Sequence, residues 1–334
     1  MTRFAQIVGV GSYLPEKVLT NADFESIVNT SNEWIVTRTG IRERRVVTEG
    51  ETTSDLAAKA ARVALDRAGL AGPDVDLMIV GTTSPDYVFP STACVAQEKL
   101  GLTCPAFDVM AACTSFVYAL QSASAAIESG RAETVLVIGA EALTRFVDFT
   151  DRSTCVLFGD GAGAVVLTAA DAPGIESVVL GADGTGVDLL KAPAGGAAMP
   201  ITISGIDNHE QYLKMAGNEV FKFAVRVIPR ATTEALALSG HSVDELRWLV
   251  PHQANKRIID TIEERLRLDD DRVYCNLEST GNTSAASIPL ALDDLYTSGR
   301  LAPGDVLALV GFGAGLTWGA AIVSWTMPTP EEEK

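Results

Sequence analysis

Three residues of this 334-residue chain have types and surroundings suited to chemistry: Cys113, His252 and Asn282. Cys113 follows AFDVMAA and opens the apolar stretch TSFVYALQSASAAIESG, which reads as a helix ending at Gly130. A thiol at a helix N-terminus feels the positive end of the macrodipole, which favours thiolate, so Cys113 reads as a nucleophile near neutral pH. His252 ends the strand-like run LRWLVP and starts the hydrogen-bonding run His252-Gln253-Ala254-Asn255. Asn282, in ESTGNTS, follows a glycine and precedes Thr-Ser at a helix start, where an N-cap or turn role is the ordinary alternative. Two enzymes can be built from this trio. A hydrolase would use His252 as general base with Asn282 orienting it. A carbon-carbon condensing enzyme would use both as donors to one thioester oxygen, stabilising an enolate.

The elements that must position these residues repeat. Apolar strand-like runs alternate with small-residue helices, which predicts parallel βαβ construction. DLMIVGTTS (76–84), CPAFDVMAACTSFVYAL (104–120), TVLVIGAEAL (134–143) and GAGAVVLTA (161–169) form one series. LRWLVPHQAN (246–255), RVYCNLESTGNTSAASIPLAL (272–292), DVLALVGFGAGL (305–316) and WGAAIVSW (318–325) repeat its order. Cys113 and Asn282 stand 169 residues apart and Val135 and Val306 stand 171 apart, each close to half the chain, so an α/β unit is duplicated. The predicted halves are 1–171, carrying the cysteine, and 172–334, carrying the histidine and asparagine. Open parallel sheets place chemistry in loops at the carboxyl ends of their strands, so the site belongs at the seam of the duplication.

Composition removes other classes. The net charge of −17, from 26 Lys and Arg against 43 Asp and Glu, argues against duplex nucleic acid, which needs a basic surface. Five cysteines without a CxxC pair, and three histidines apart from them, predict neither a disulfide framework nor a zinc site. Polar residues interrupt the uncharged stretch 109–127, and dense glycines divide 306–330 into two strands joined by a loop, so neither reads as a membrane span. MTRFAQIVGVGSYLP reads as the first strand of a cytoplasmic protein and not as a leader. GVGSYL and GDGAGA lack the helix that would receive a pyrophosphate, and read as turns or close backbone packing.

The blocks GSYLPEKVLTN, SNEWIVTRTGIRER, FPSTAC, CPAFDVMAACTSF, TDRSTCVLFGDGAGA, MAGNEVFK, LVPHQAN, GNTSAAS and GFGAGLTWGAA together resemble β-ketoacyl-acyl carrier protein synthase III, an initiating condensing enzyme of the thiolase superfamily, over residues 3–325. The resemblance implies a duplicated, five-layered α-β-α-β-α fold and a homodimer. It implies that Cys113 takes the acyl group from acyl-CoA, that His252 and Asn282 promote decarboxylation of malonyl-acyl carrier protein, and that backbone N–H groups of Cys113 and Ala314 hold the oxyanion. No metal or redox cofactor is implied. Trp34 and Arg152 would sandwich the CoA adenine, Arg38 would meet a CoA phosphate, and Gly217 and Asn255 would line the pantetheine tunnel. Thr83, Leu143, Phe158 and Leu190 would form the acyl pocket, closed by Phe89 from the partner subunit. Lys222, Gln253, Ala254, Asn255, Lys256 and Arg257 would dock the acidic carrier protein. The nearest alternatives are a starter enzyme of polyketide synthesis and a related acyltransferase to oxygen or nitrogen. A silent acyl-binding scaffold is a more distant one, disfavoured by the intact trio.

Overall fold

The computed structural model describes residues 3–330. Two sheets are stacked around a pair of buried helices. The first sheet contains β1 (Phe4–Tyr13), β2 (Leu77–Gly81), β3 (Ala106–Val109), β4 (Thr134–Glu141) and β5 (Gly161–Ala170), in the order β1-β5-β4-β2-β3. The second contains β6 (Ile175–Ala182), β7 (Leu246–Pro251), β8 (Val306–Gly313) and β9 (Thr317–Ser324), in the order β6-β9-β8-β7. A lone parallel bridge between Leu249 and Val273 occupies the position that β3 fills in the first sheet. Strands β2, β4 and β5 thus correspond to β7, β8 and β9, in the order of the sequence repeat.

The parallel expectation is corrected in part. β2 pairs with β3 and β4 in parallel, as β7 does with β8, whereas β5 runs antiparallel to both β4 and β1. β9 likewise runs antiparallel to β8 and β6. The short connection from Gly313 to Thr317 allows only a hairpin, because a parallel return needs a crossover of a dozen or more residues.

The burial pattern explains the compositions. β4 and β8 are buried along their whole length, which matches their unbroken apolar runs. Helices Ser115–Glu128 and Ser287–Thr297 lie between the sheets, so they carry little charge and many small residues. Phe116, Leu120, Val137, Ile288, Leu292 and Leu309 belong to this central core. Helices Thr53–Ala68 and Thr92–Leu100 cover the outer face of the first sheet, and Gly217–Ser239 and Lys256–Leu266 that of the second. This is the five-layered arrangement. Among the described residues, no helix is long and apolar enough to cross a membrane.

The GDGAGA segment packs closely, as expected. A Cβ on Gly163 would lie 2.6 Å from the backbone of Pro289, so glycine lets the central helix sit directly on β5. Gly163→Ala is expected to destabilise the fold by about 1–3 kcal/mol through overpacking, read as a lowered thermal midpoint. An unchanged midpoint would mean that the two layers can separate at no cost.

Candidate active site

Cys113 and His252 each follow a strand and precede a helix, whereas Asn282 lies between the short helix Leu277–Thr280 and helix Ser287–Thr297. Beyond β3 the chain turns through Ala112, which has the left-handed φ of 51°, and delivers Cys113 just ahead of helix Ser115–Glu128. From the other half, Gly313 at the end of β8 presses against this turn: a Cβ there would meet the Cys113 nitrogen at 2.6 Å. His252 leaves β7 with its N–H bonded to the Val310 carbonyl on β8. Asn282 follows Gly281, and its N–H donates to the Leu157 carbonyl while its carbonyl accepts from Gly159 N–H, a segment of the first half. The seam is therefore stitched by backbone bonds at the site itself.

All three side chains are buried, with relative exposures of 8% for Cys113, 2% for His252 and 6% for Asn282. One cavity reaches them all. Its walls include Trp34, Arg38, Ser153, Phe158, Leu190, Gly217, Phe221, Ala254, Asn255, Arg257 and Phe312. A second chamber meets it at Cys113, Phe158 and Leu190, and is lined further by Thr83, Met110, Leu143, Phe146, Leu213, Ser284 and Ala314.

Burial sets the resting charges. It pushes the Cys113 thiol up to about 12; the Ser284 hydroxyl pulls the other way, and the nearby Glu141 charge adds to the rise. The thiolate expected from the helix terminus is therefore a thiol at rest. A macrodipole is worth at most about 2 kcal/mol, whereas full burial can raise a thiol by several pKa steps. His252 is pushed down to about 3 by burial, so its ring is neutral. Its Nδ1 lies 2.7 Å from the Ser287 Oγ, and its ring meets Phe312 edge-on at 5.5 Å. The Asn282 Oδ1 accepts from Ser284 N–H at 2.9 Å, which leaves the amide NH₂ as the free end.

Glu141 was not singled out from the sequence, yet it is wholly buried beside the trio. It accepts from the hydroxyls of Thr82, Thr83 and Ser84, from Thr83 and Ser84 N–H, and from Ala285 N–H of the opposite half. Ser284 and Ser287 were likewise passed over, because serines in GNTSAAS carry no signal of their own. Arg44 is also buried, and donates to Asn21 Oδ1 and to the Leu19 and Val156 carbonyls.

Several expected ligand residues surround the cavity. Arg152 stacks on Trp34 with its guanidinium carbon 4.6 Å from the ring centroid. A base between them needs two contact gaps, about 7 Å in total, so the pair is closed here and has to part to admit one. Asn255 caps helix Lys256–Leu266 by accepting from Arg257 N–H, and it also donates to the Arg38 carbonyl. Two residues expected at the carrier dock, Gln253 and Ala254, need correction. Gln253 is fully buried, bonded to the Pro251 and Tyr274 carbonyls and to Asn276 N–H, so it braces the loop and cannot meet a carrier; Ala254 is buried as a cavity wall. Phe89 lines neither chamber of its own chain and is 85% exposed. Lys222 and Lys256 pair with Glu219 and Asp260, and Arg257 lies over Phe221 at the cavity wall. The five cysteines are free, and among the described residues no group of three or more His, Cys, Asp and Glu could hold a metal ion.

The model for 3-oxoacyl-[acyl-carrier-protein (ACP)] synthase III matches residues 107–184, and its C-terminal counterpart matches residues 236–325. A protein of Xanthomonas axonopodis named β-ketoacyl-[acyl-carrier-protein] synthase III is 51% identical over 323 residues, 96% of this chain and 98% of the relative. This chain belongs to that family. The crystal structure of the synthase III of Thermus thermophilus is 50% identical, with a TM-score of 0.89, and covers 96% of this chain and 99% of its own. The priming β-ketosynthase of the R1128 polyketide pathway is 39% identical, with a TM-score of 0.91 and 98% coverage of both chains. This family member is accordingly an acyltransferase of the condensing type.

The resting thiol has a measurable signature. Alkylation of Cys113 by iodoacetamide is expected to accelerate about tenfold per pH unit from pH 7 to 9 without levelling. A plateau below pH 8 would mean that thiolate is already the resting form.

Proposed function

We propose that this enzyme joins a short acyl-CoA primer to malonyl-acyl carrier protein by decarboxylative Claisen condensation, giving 3-oxoacyl-acyl carrier protein, CO₂ and CoA and so initiating fatty-acid synthesis. The observation that carries this reading is the continuity of one cavity from Trp34 and Arg38 at its mouth to Cys113, His252 and Asn282 at its base.

In the first half-reaction the Cys113 sulfur attacks the primer thioester. The carbonyl oxygen becomes an oxyanion held by the Cys113 and Ala314 N–H groups, and collapse expels CoA, whose sulfur takes up the proton that Cys113 gave, so that it leaves as its thiol. The acyl chain then lies along Thr83, Leu143, Phe158 and Leu190, with Phe89 of the opposite subunit closing the end. The exposed run Tyr87, Val88 and Phe89, together with Met110, supports that homodimer, since so apolar a strip is costly in water. In the second half-reaction the malonyl thioester oxygen accepts hydrogen bonds from His252 and the Asn282 NH₂. Loss of CO₂ leaves an enolate whose carbon attacks the acyl-Cys carbonyl, and Cys113 departs as thiolate and takes a proton from solvent. No step calls on a metal or redox cofactor. The alternative of polyketide priming uses the same steps with another primer, and the likeness to the R1128 ketosynthase is what favours keeping it.

The halves 1–171 and 172–334 act as one catalytic unit in this reading, and the enzyme works in the cytoplasm. The carrier protein docks at Arg257, Lys222, Lys256 and Asn255 beside the cavity mouth.

His252→Ala and Asn282→Ala are each expected to slow malonyl decarboxylation by about 10²–10³ while Cys113 still takes label from acetyl-CoA. Loss of labelling with intact CO₂ release would point to the hydrolase-like assignment. Arg257→Glu is expected to raise the KM for malonyl-acyl carrier protein several-fold and to flatten its salt dependence, with little change in the KM for acyl-CoA. Equal impairment with both substrates would move the dock elsewhere.

A further inference from the structure

We propose that Ser287 is a positioning residue: its hydroxyl donates to His252 Nδ1 and thereby holds the ring hydrogen on Nε2. The proposal deepens the reading of His252 as a donor to the malonyl thioester oxygen and rests on it.

The seat of the ring leaves two arrangements and no third. His252 Nδ1 lies 2.7 Å from the Ser287 Oγ, which lies 2.8 Å from the Ser284 carbonyl oxygen. A hydroxyl has one hydrogen and a neutral imidazole has one N–H. If Ser287 donates to the carbonyl, Nδ1 must carry the ring hydrogen and Nε2 is left as a lone pair. If Ser287 donates to Nδ1, the hydrogen sits on Nε2. A thioester or enolate oxygen only accepts, so only the second arrangement makes the ring a donor.

Two features favour it. The Ser284 carbonyl already accepts from Ser287 backbone N–H, so it stays satisfied when the hydroxyl turns away. Asn282, two residues before Ser284, is oriented by the same turn to present its NH₂, so a second donor matches it where a lone pair would repel the oxygen they share. The backbone of that turn is set by Ser284 in the left-handed region, with φ of 48°. One short segment, 282–287, thus orients both donors.

The test uses ¹⁵N-histidine-labelled full-length enzyme, with the His252 resonances assigned by their loss in His252→Ala. Three forms are compared: wild type, Ser287→Ala and Ser287→Thr. Wild type is expected to show the hydrogen on Nε2. Ser287→Ala is expected to move it wholly or partly to Nδ1 and to slow malonyl decarboxylation about tenfold or more, with Cys113 acylation kept within about threefold. Ser287→Thr, which keeps the hydroxyl, should restore both. A wild-type ring protonated on Nδ1, or a Ser287→Ala ring that keeps Nε2–H and full decarboxylation, overturns the proposal. Should Ser287→Ala fail to fold, the wild-type spectrum decides alone. If wild type itself releases no CO₂ from malonyl-acyl carrier protein, the condensing reading fails, an outcome separate from the tautomer result.

Discussion

Removal of water from the seam between the two halves governs the rest of this structure. A carboxylate, a thiol and an imidazole lie within it, all buried, and each responds to desolvation in its own way. Glu141 keeps its place because hydroxyl and amide donors converge on it from residues 82–84 of one half and from Ala285 of the other. An unpaired charge there would be prohibitive, so these bonds also hold the halves in register. Cys113 and His252 are held neutral by the same dryness, since no charged partner compensates their burial. A neutral thiol beside a neutral ring suits the proposed reaction, in which an acyl-cysteine has to be kept from water.

From that constraint follows the use of rigid elements. The left-handed turns at Ala112 and Ser284 deliver the reacting groups from opposite halves onto the same cavity, and glycine at 313 lets the second sheet close against the first turn. Small displacements would open the seam to water, which weakens each electrostatic interaction inside it. The central helices, nearly free of charge, are the inner wall of this arrangement, and their composition reflects burial on all sides.

The cavity mouth obeys other rules. Trp34 and Arg152 close on each other through a planar cation and an aromatic face, an arrangement able to part for a flat ligand at modest cost. Around it the net charge of −17 makes each exposed cation matter locally. Lys222 and Lys256 are already engaged by carboxylates on their own helices, whereas Arg257 projects over Phe221 beside the opening.

The duplication, the layers and the trio were legible in the sequence for a physical reason: strands buried on both faces must be apolar throughout, and catalytic residues must follow them at their carboxyl ends. The repeated order of runs therefore carried the topology, and Cys113, His252 and Asn282 stood out by position. Strand direction was less legible, because an apolar run reads alike in a parallel or an antiparallel pair; the hairpin at 313–317 decided it for β9, and for β5, which a long connection separates from β4, only the tertiary structure did. The charge state of Cys113 was misread for a related reason, since a helix start is visible in sequence and desolvation is not. Gln253 looked like surface and proved to be a brace, while Glu141, Ser284 and Ser287 gave no sign of their neighbours. Their partners lie tens to hundreds of residues away or depend on one turn's backbone, so residue type alone fixes what each group can donate or accept. Which group it meets is decided when the two halves close.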